Sequence, residues 1–314
     1  MKKIFVIAGI LITVPGCMQI AQKPLLRHVS LKKQSTPLKT SIDLQAESKP
    51  AINIWIHGTR LLPKGMFQNF FFSKYGLHHY AEIDSKYHQY QIAQTLINSN
   101  PDMFPAPTFY LFGWSGALSF KERESAARKL YTDLKSIRET YIKNYGTEPY
   151  IRILSHSHGG NIALLLDRVK DQSDKSIFIN ELILLACPVQ TQTMHCAHAA
   201  IFGKVYSLYS MLDVLQVVDP QGLQKEKSDQ HVPLFSERFF PHNEKIEQVA
   251  IKINDRSIMH IEFVKLKFLA LIPSILAEIE QWHSTSKMST HEWITRNKCL
   301  CLNTKQRKNN QINA

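Results

Sequence analysis

The chain has 314 residues, 44% of them hydrophobic and 20% charged. That composition suits one folded domain of the larger α/β kind, or at most one domain plus an insertion, and no internal repeat breaks it into an array. The formal charge of +12 points to an anionic surface such as lipid, and the export segment that opens the chain argues against nucleic acid.

Residues 1–17 stand apart from the domain. Lys2 and Lys3 make a basic n-region, residues 4–14 an apolar h-region, and Val14-Pro15-Gly16-Cys17 closes it. The apolar run is too short for a stable transmembrane helix and reads as an export signal. Residues 18–50 are polar and lysine-rich, with Pro24 and Pro37, and read as a tether with one early edge strand around 25–32. Residues 51–56 (AINIWI) form a strand that runs straight into His57-Gly58-Thr59-Arg60. Residues 67–80 are aromatic and irregular; the run Phe70-Phe71-Phe72 reads as core, with an acyl-pocket wall as the alternative.

A helix is predicted over 85–98 and a strand over 108–112. Ser119 and Glu122 then make a capping box for a long helix ending at Gly146, with Ala126, Leu130, Leu134, Ile137 and Tyr141 on one face. Strands follow at 177–186, 204–209 and 248–253, the last being the final strand expected. From His260 an amphipathic helix runs to about Trp282, interrupted by Pro273, and 284–314 read as a polar basic tail. Strands alternating with helices predict one domain over 51–283, with a mostly parallel central sheet and helices on both faces.

Between these elements lies the stretch that carries chemistry, 150–169 (YIRILSHSHGGNIALLLDRV). An apolar strand meets an apolar helix through Ser155-His156-Ser157-His158-Gly159, the small-x-Ser-x-Gly pattern of a nucleophile elbow, with Ser155 where Gly is usual. A serine on so tight a turn needs small neighbours two residues to either side, because the backbone folds back over them. The turn lifts the Ser157 hydroxyl clear of the sheet and leaves the His158 N–H to receive an oxyanion at a helix N-terminus. Gly113-Trp114-Ser115-Gly116-Ala117 also ends a strand, but Leu118-Ser119-Phe120 delay its helix. Ser115 is therefore not pinned as a nucleophile, and with Trp114 it reads as pocket lining.

From His57 to about Trp282 the chain resembles the α/β-hydrolase family, in which an HG motif follows an early strand, the elbow a later one, and the acid and histidine come after the last strands. The resemblance implies that His57 and Gly58 shape an oxyanion loop whose donor is the N–H of Thr59. Asp213, just beyond a strand, fits the acid, with Asp219 as its rival six residues on. His260, past the last predicted strand, fits the base, with His231 and His242 ranked lower. Segments 188–202 and 220–245 lie where the family places substrate-choosing caps, and their apolar and aromatic residues suit a lipid-facing lid. Residues 14–17 resemble the lipobox of bacterial lipoprotein precursors, which implies an acylated Cys17, a bilayer partner and a place in the cell envelope. Met18, in place of an aspartate resembling an inner-membrane retention signal, leans toward the outer membrane.

The chain thus reads as a membrane-anchored serine hydrolase of carboxylic esters, lipid or acyl esters above all, with no cofactor. An acyltransferase using the same triad and a non-catalytic envelope lipoprotein retaining the fold are the alternatives. No metal is expected, because His195-Cys196-Ala197-His198 has no second cluster of matching spacing. The pairing of Cys187, Cys196, Cys299 and Cys301 stays open, as does the oligomeric state.

Overall fold

The computed structural model describes residues 24–30, 50–60, 74–171, 177–218, 238–295 and 297–304. The export segment with Cys17, most of the tether, Phe70 to Phe72, Asp219, His231 and much of 220–245 lie outside them. The chain runs β1 (Leu25–Ser30), β2 (Ile52–Ile56), β3 (Gly76–His79), α1 (His88–Ser99), β4 (Phe109–Gly113), α2 (Phe120–Tyr145), β5 (Ile151–His156), α3 (His158–Leu164) and α4 (Leu166–Val169). It continues through β6 (Ile179–Leu185), β7 (Phe202–Tyr209), β8 (Ile246–Ile253), β9 (Arg256–Ser257), α5 (Leu266–Leu269), α6 (Ile272–Thr285), α7 (Thr290–Thr295) and β10 (Lys298–Asn303).

These strands form one sheet in the order β1-β10-β8-β7-β6-β5-β2-β4-β3, with β9 beside β8. Among the described pairs only β3 with β4 and β8 with β9 are antiparallel. This is the mostly parallel α/β sheet that the α/β-hydrolase resemblance implies. Alternate side chains of each strand enter opposite cores. On β2, Ile54 and Ile56 join the core packed by α2, α3 and α4, while Trp55 joins the one packed by α1, α5 and α6. Both faces are covered, so β2 and β5 are buried along their whole length.

The helices follow their apolar stripes. Ser119 caps α2 by accepting the Glu122 N–H, and the helix buries Ala126, Leu130, Leu134 and Tyr141. In α6, Ile272, Ile275, Leu276 and Ile279 are buried at successive turns. Each such side chain contributes about 1.5–3 kcal/mol relative to exposure.

Two expectations are corrected. The helix expected from His260 to Trp282 is three pieces: a 3-10 turn at His260–Val264, then α5, then α6. The breaks fall at Lys265 and Leu271, and Pro273 sits in the first turn of α6, where its missing N–H costs no hydrogen bond. The second concerns the end of the domain. Residues 284–295 and 297–304 are not a loose tail, because α7 packs on the domain and β10 inserts between β1 and β8, so β8 is not the final strand. Buried Glu247 on β8 accepts the Trp293 indole N–H at 2.9 Å and pairs with buried Lys298 at 3.3 Å. Those contacts bring a polar segment into the sheet. The early strand β1 is at the sheet edge, as expected, and Cys187, Cys196, Cys299 and Cys301 are free and buried.

Candidate active site

The elbow forms where β5 meets α3. Ser157 stands at the helix N-cap with φ 53° and ψ −134°, a left-handed conformation that L-residues rarely adopt. Its N–H bonds Leu185 O at 2.9 Å, and its carbonyl accepts the Gly160 N–H at 2.9 Å. Gly159 is demanded by crowding: a methyl there would lie 2.5 Å from His57 O and 2.8 Å from Ile56 O. Ser155 is accommodated in place of glycine because its hydroxyl turns to the neighbouring strand and donates to Ile183 O at 3.3 Å.

The His57-Gly58-Thr59 loop packs directly on this turn. A methyl on Gly58 would sit 2.9 Å from Ser157 Cβ, so only glycine lets the loop come so close. The loop is held from behind. The Trp114 indole N–H donates to His57 O at 2.9 Å, and its ring stacks on His57 with centroids 5.6 Å apart. His57 Nδ1–H donates to Gly58 O at 2.7 Å, and its Nε2 accepts the Trp114 N–H at 3.4 Å. Burial holds the His57 imidazole neutral, with its pKa lowered to about 3. His57 and Trp114 are buried supports of the loop. The Thr59 hydroxyl is buried and has no hydrogen-bond partner among the described residues. His158 opens α3, where first-turn amides have no intrahelical acceptor. Its imidazole, 3.4 Å from Asn161 Nδ2, is kept neutral by burial.

Asp213 lies in the turn after β7 and is wholly buried. His260 follows the β8–β9 hairpin, and its Nδ1–H donates to Asp213 Oδ2 at 2.8 Å. The other carboxylate oxygen accepts the Gln216 N–H at 3.0 Å. Arg238 clamps the same turn, donating to Ser210 O at 2.7 Å and to Asp213 O at 3.1 Å. The His260 side is fixed by Glu262, which accepts the Met259 N–H and a two-pronged bond from Arg256. Those donors, Arg256 first, hold the Glu262 pKa down at about 2.

His156, inside the elbow, joins the two halves. Its ring lies against that of His260, centroids 4.6 Å apart, and its Nε2–H donates to His260 O at 3.2 Å. Burial keeps His156 neutral. The structure therefore brings Asp213 and His260 into contact and sets His260 against the elbow. Among the described residues, Ser157 Oγ and His260 are not hydrogen-bonded to each other. Such bonds are often long in the free protein and tighten when substrate arrives.

Ser115 is exposed and α2 begins only at Phe120, which leaves it without a helix N-terminus. His242 is also exposed. His195-Cys196-Ala197-His198 forms a 3-10 turn with Cys196 buried. Sequence reasoning missed His156, Arg238 and Gln216 as parts of the site. The first was visible in the elbow but without a partner, and the other two act through bonds to residues of the Asp213 turn.

No known family model matches the chain, and no curated protein matches it. Among solved structures it is similar to an esterase from Pyrobaculum calidifontis, at 13% identity over 74% of this chain and 77% of that one, with a TM-score of 0.38. It is similar to a hormone-sensitive lipase from a metagenome library at 13% identity over 82% and 69%, with a TM-score of 0.33. The phospholipase PlaB from Legionella pneumophila, in complex with thio-NAD, overlaps at 14% identity over 44% of this chain, with a TM-score of 0.27. The overlap spans 25% of that phospholipase.

Proposed function

We propose that the chain is a serine hydrolase of carboxylic esters, held at a membrane through an acylated Cys17. The observation that carries the reading is a buried carboxylate bonded to the Nδ1 of His260, beside a serine held at positive φ on a strand-to-helix turn. Ser157 Oγ attacks the ester carbonyl while His260 Nε2 takes its proton. Asp213 fixes the tautomer that leaves Nε2 free and stabilises the imidazolium without accepting its proton. The amides of Thr59 and His158 receive the oxyanion. His260 returns the proton to the leaving alcohol, and water then cleaves the acyl-enzyme by the same route.

Lipid or long acyl esters are supported by what flanks the pair. Met211, Leu212, Val214 and Leu215 surround Asp213 in sequence, and Met259 and Ile261 bracket His260; all six are exposed, Met211 at 59% and Met259 at 56%. Asp213 and His260 touch, so the two turns that carry these apolar side chains meet at the site. An exposed cluster of that kind needs an apolar counterpart. No helix among the described residues is long and apolar enough to cross a membrane, and the anchor rests on Cys17, whose acyl chains would seat the protein.

The test is fluorophosphonate labelling of the full chain beside Ser157→Ala and Ser115→Ala, followed by esters of rising chain length. Labelling lost only in Ser157→Ala, with preference for longer acyl chains, is expected. A folded wild type that does not label would reduce the site to a relic. Radiolabelled palmitate retained by Cys17→Ser would remove the anchor.

A further inference from the structure

At the edge of the sheet farthest from β3, three residues with metal-binding side chains meet from segments remote in sequence. His28 on β1 and Cys301 on β10 are register partners on adjacent parallel strands, so their side chains leave the same face of the sheet. Asp255 reaches them from the turn between β8 and β9. Its Oδ1 accepts the Cys301 thiol at 3.1 Å and lies 3.8 Å from His28 Nδ1. All three donor atoms fall within 4.8 Å of one another.

We propose that His28, Asp255 and Cys301 form a structural site for one divalent transition-metal ion of the zinc type, with water as the fourth ligand. A tetrahedral ion with bonds of about 2.0–2.3 Å needs donors roughly 3.3–3.8 Å apart. The separations of 3.1 and 3.8 Å already approach that spacing. A neutral imidazole, a carboxylate and a thiolate supply the donor set zinc prefers, and their two negative charges balance the ion. Binding replaces the thiol S–H with an S–metal bond and releases that proton to solvent.

The turn is built to hold its carboxylate in place. Asn254 and Asp255 both have positive φ, 49° and 63°, the pair of left-handed residues that a tight two-residue hairpin demands. Asparagine-glycine is the usual choice there, and this chain has a carboxylate at the second position. The turn is also bolted to the end of β10: Asn254 N–H donates to Leu302 O at 2.9 Å, and its side chain exchanges bonds of 3.0 Å with Thr304. Asp255 is thereby fixed over Cys301. The ion would join the first and last described strands to the hairpin that leads into His260.

The experiment adds Co2+ to the metal-free full chain in detergent and reads thiolate-to-cobalt charge-transfer absorption, with Zn2+ competition for affinity. One equivalent should produce the band, Cys301→Ser should abolish it, and Cys299→Ser, altering the free cysteine two residues before it on β10, should keep it. His28→Ala and Asp255→Asn change exposed side chains, at 49% and 73%, so they preserve the fold if Cys301→Ser does not. Each should weaken Zn2+ by at least the ~10–100-fold that loss of a ligand's outer-shell partner costs. Zn2+ should also raise the melting temperature of the wild type and of Ser157→Ala alike. No charge-transfer band, or a band and affinity unchanged in both exposed variants, would overturn the assignment and leave a hydrogen-bonded network.

Discussion

Replacing Asp213 by asparagine tests the reasoning about the site at its most constrained atom. The side chain is buried, and its two oxygens have different partners: Oδ2 takes His260 Nδ1–H at 2.8 Å, and Oδ1 takes the Gln216 N–H at 3.0 Å. An asparagine must keep its oxygen toward the Gln216 amide, because turning it would set two donors against each other. Its NH2 then faces His260 and forces the tautomer with the proton on Nε2, which cannot accept from Ser157. Loss of the correct tautomer costs about 10⁴-fold in kcat, or about 5 kcal/mol of barrier. The polar bonds to Gln216 and Arg238 remain, so stability should change little. The assay is ester hydrolysis and the rate of fluorophosphonate labelling, beside a urea unfolding curve. Asp213→Asn within tenfold of wild type, or a 10⁴-fold loss in Asp219→Asn instead, would refute the assignment of the acid.

Three further outcomes are expected. His156→Phe keeps a ring against His260 but removes its donor to His260 O; a misplaced base should lower kcat about 10²-fold with KM and the urea midpoint nearly unchanged, and a KM effect alone would refute the positioning role. His57, His156 and His158 are buried and neutral, so between pH 6.5 and their lowered pKa values the unfolded chain binds more protons. Their stability is full above pH 6.5 and declines below it, by about 2 kcal/mol at pH 5 for His57, with His156 and His158 acting in the same direction; urea unfolding at pH 7.5 and 5 that gives equal values would contradict this. Lys298→Ala leaves Glu247 buried with Trp293 and His283 as its remaining partners. The cost should be about 3 kcal/mol and ~6–12 °C in melting temperature, and a shift within ~1 °C would show that β10 is not packed as described.

What was legible in the sequence was whatever neighbours in the chain decide. Strands β2, β4 and β5 are covered on both faces, and INIWI, FYLFG and IRILSH announce it by apolar residues at both odd and even positions. The elbow is likewise local, since Ser155, Ser157 and Gly159 carry their steric logic within five positions. Strand β10 is the opposite case. KCLCLN sits between polar stretches, and its first residue is a lysine made compatible with burial by Glu247, which is contributed by β8. The His260 segment misled in another way: its apolar spacing suits a continuous helix, whereas Lys265 turns to extended backbone between the 3-10 turn and α5 and a second break falls at Leu271. Arg238 and the Asp255–Cys301 contact are legible only once strands distant in sequence are adjacent.

The elbow also makes a prediction about stability that runs against the usual effect of glycine. Ser157 at φ 53° stores strain of order 1–3 kcal/mol, held by the surrounding turn where the proposed reaction needs the hydroxyl. Ser157→Ala and Ser157→Gly both delete the proposed nucleophile, but alanine keeps the Cβ that causes the strain. At an ordinary position alanine is the more stable of the two by about 0.4–1 kcal/mol, because glycine enlarges the entropy of the unfolded chain. Here release of strain should outweigh that term, leaving Ser157→Gly about 1 kcal/mol more stable than Ser157→Ala and melting ~2–4 °C higher. An alanine variant that melts above the glycine variant would mean that the turn accepts a Cβ without cost. The positive φ would then not be how this fold presents its serine.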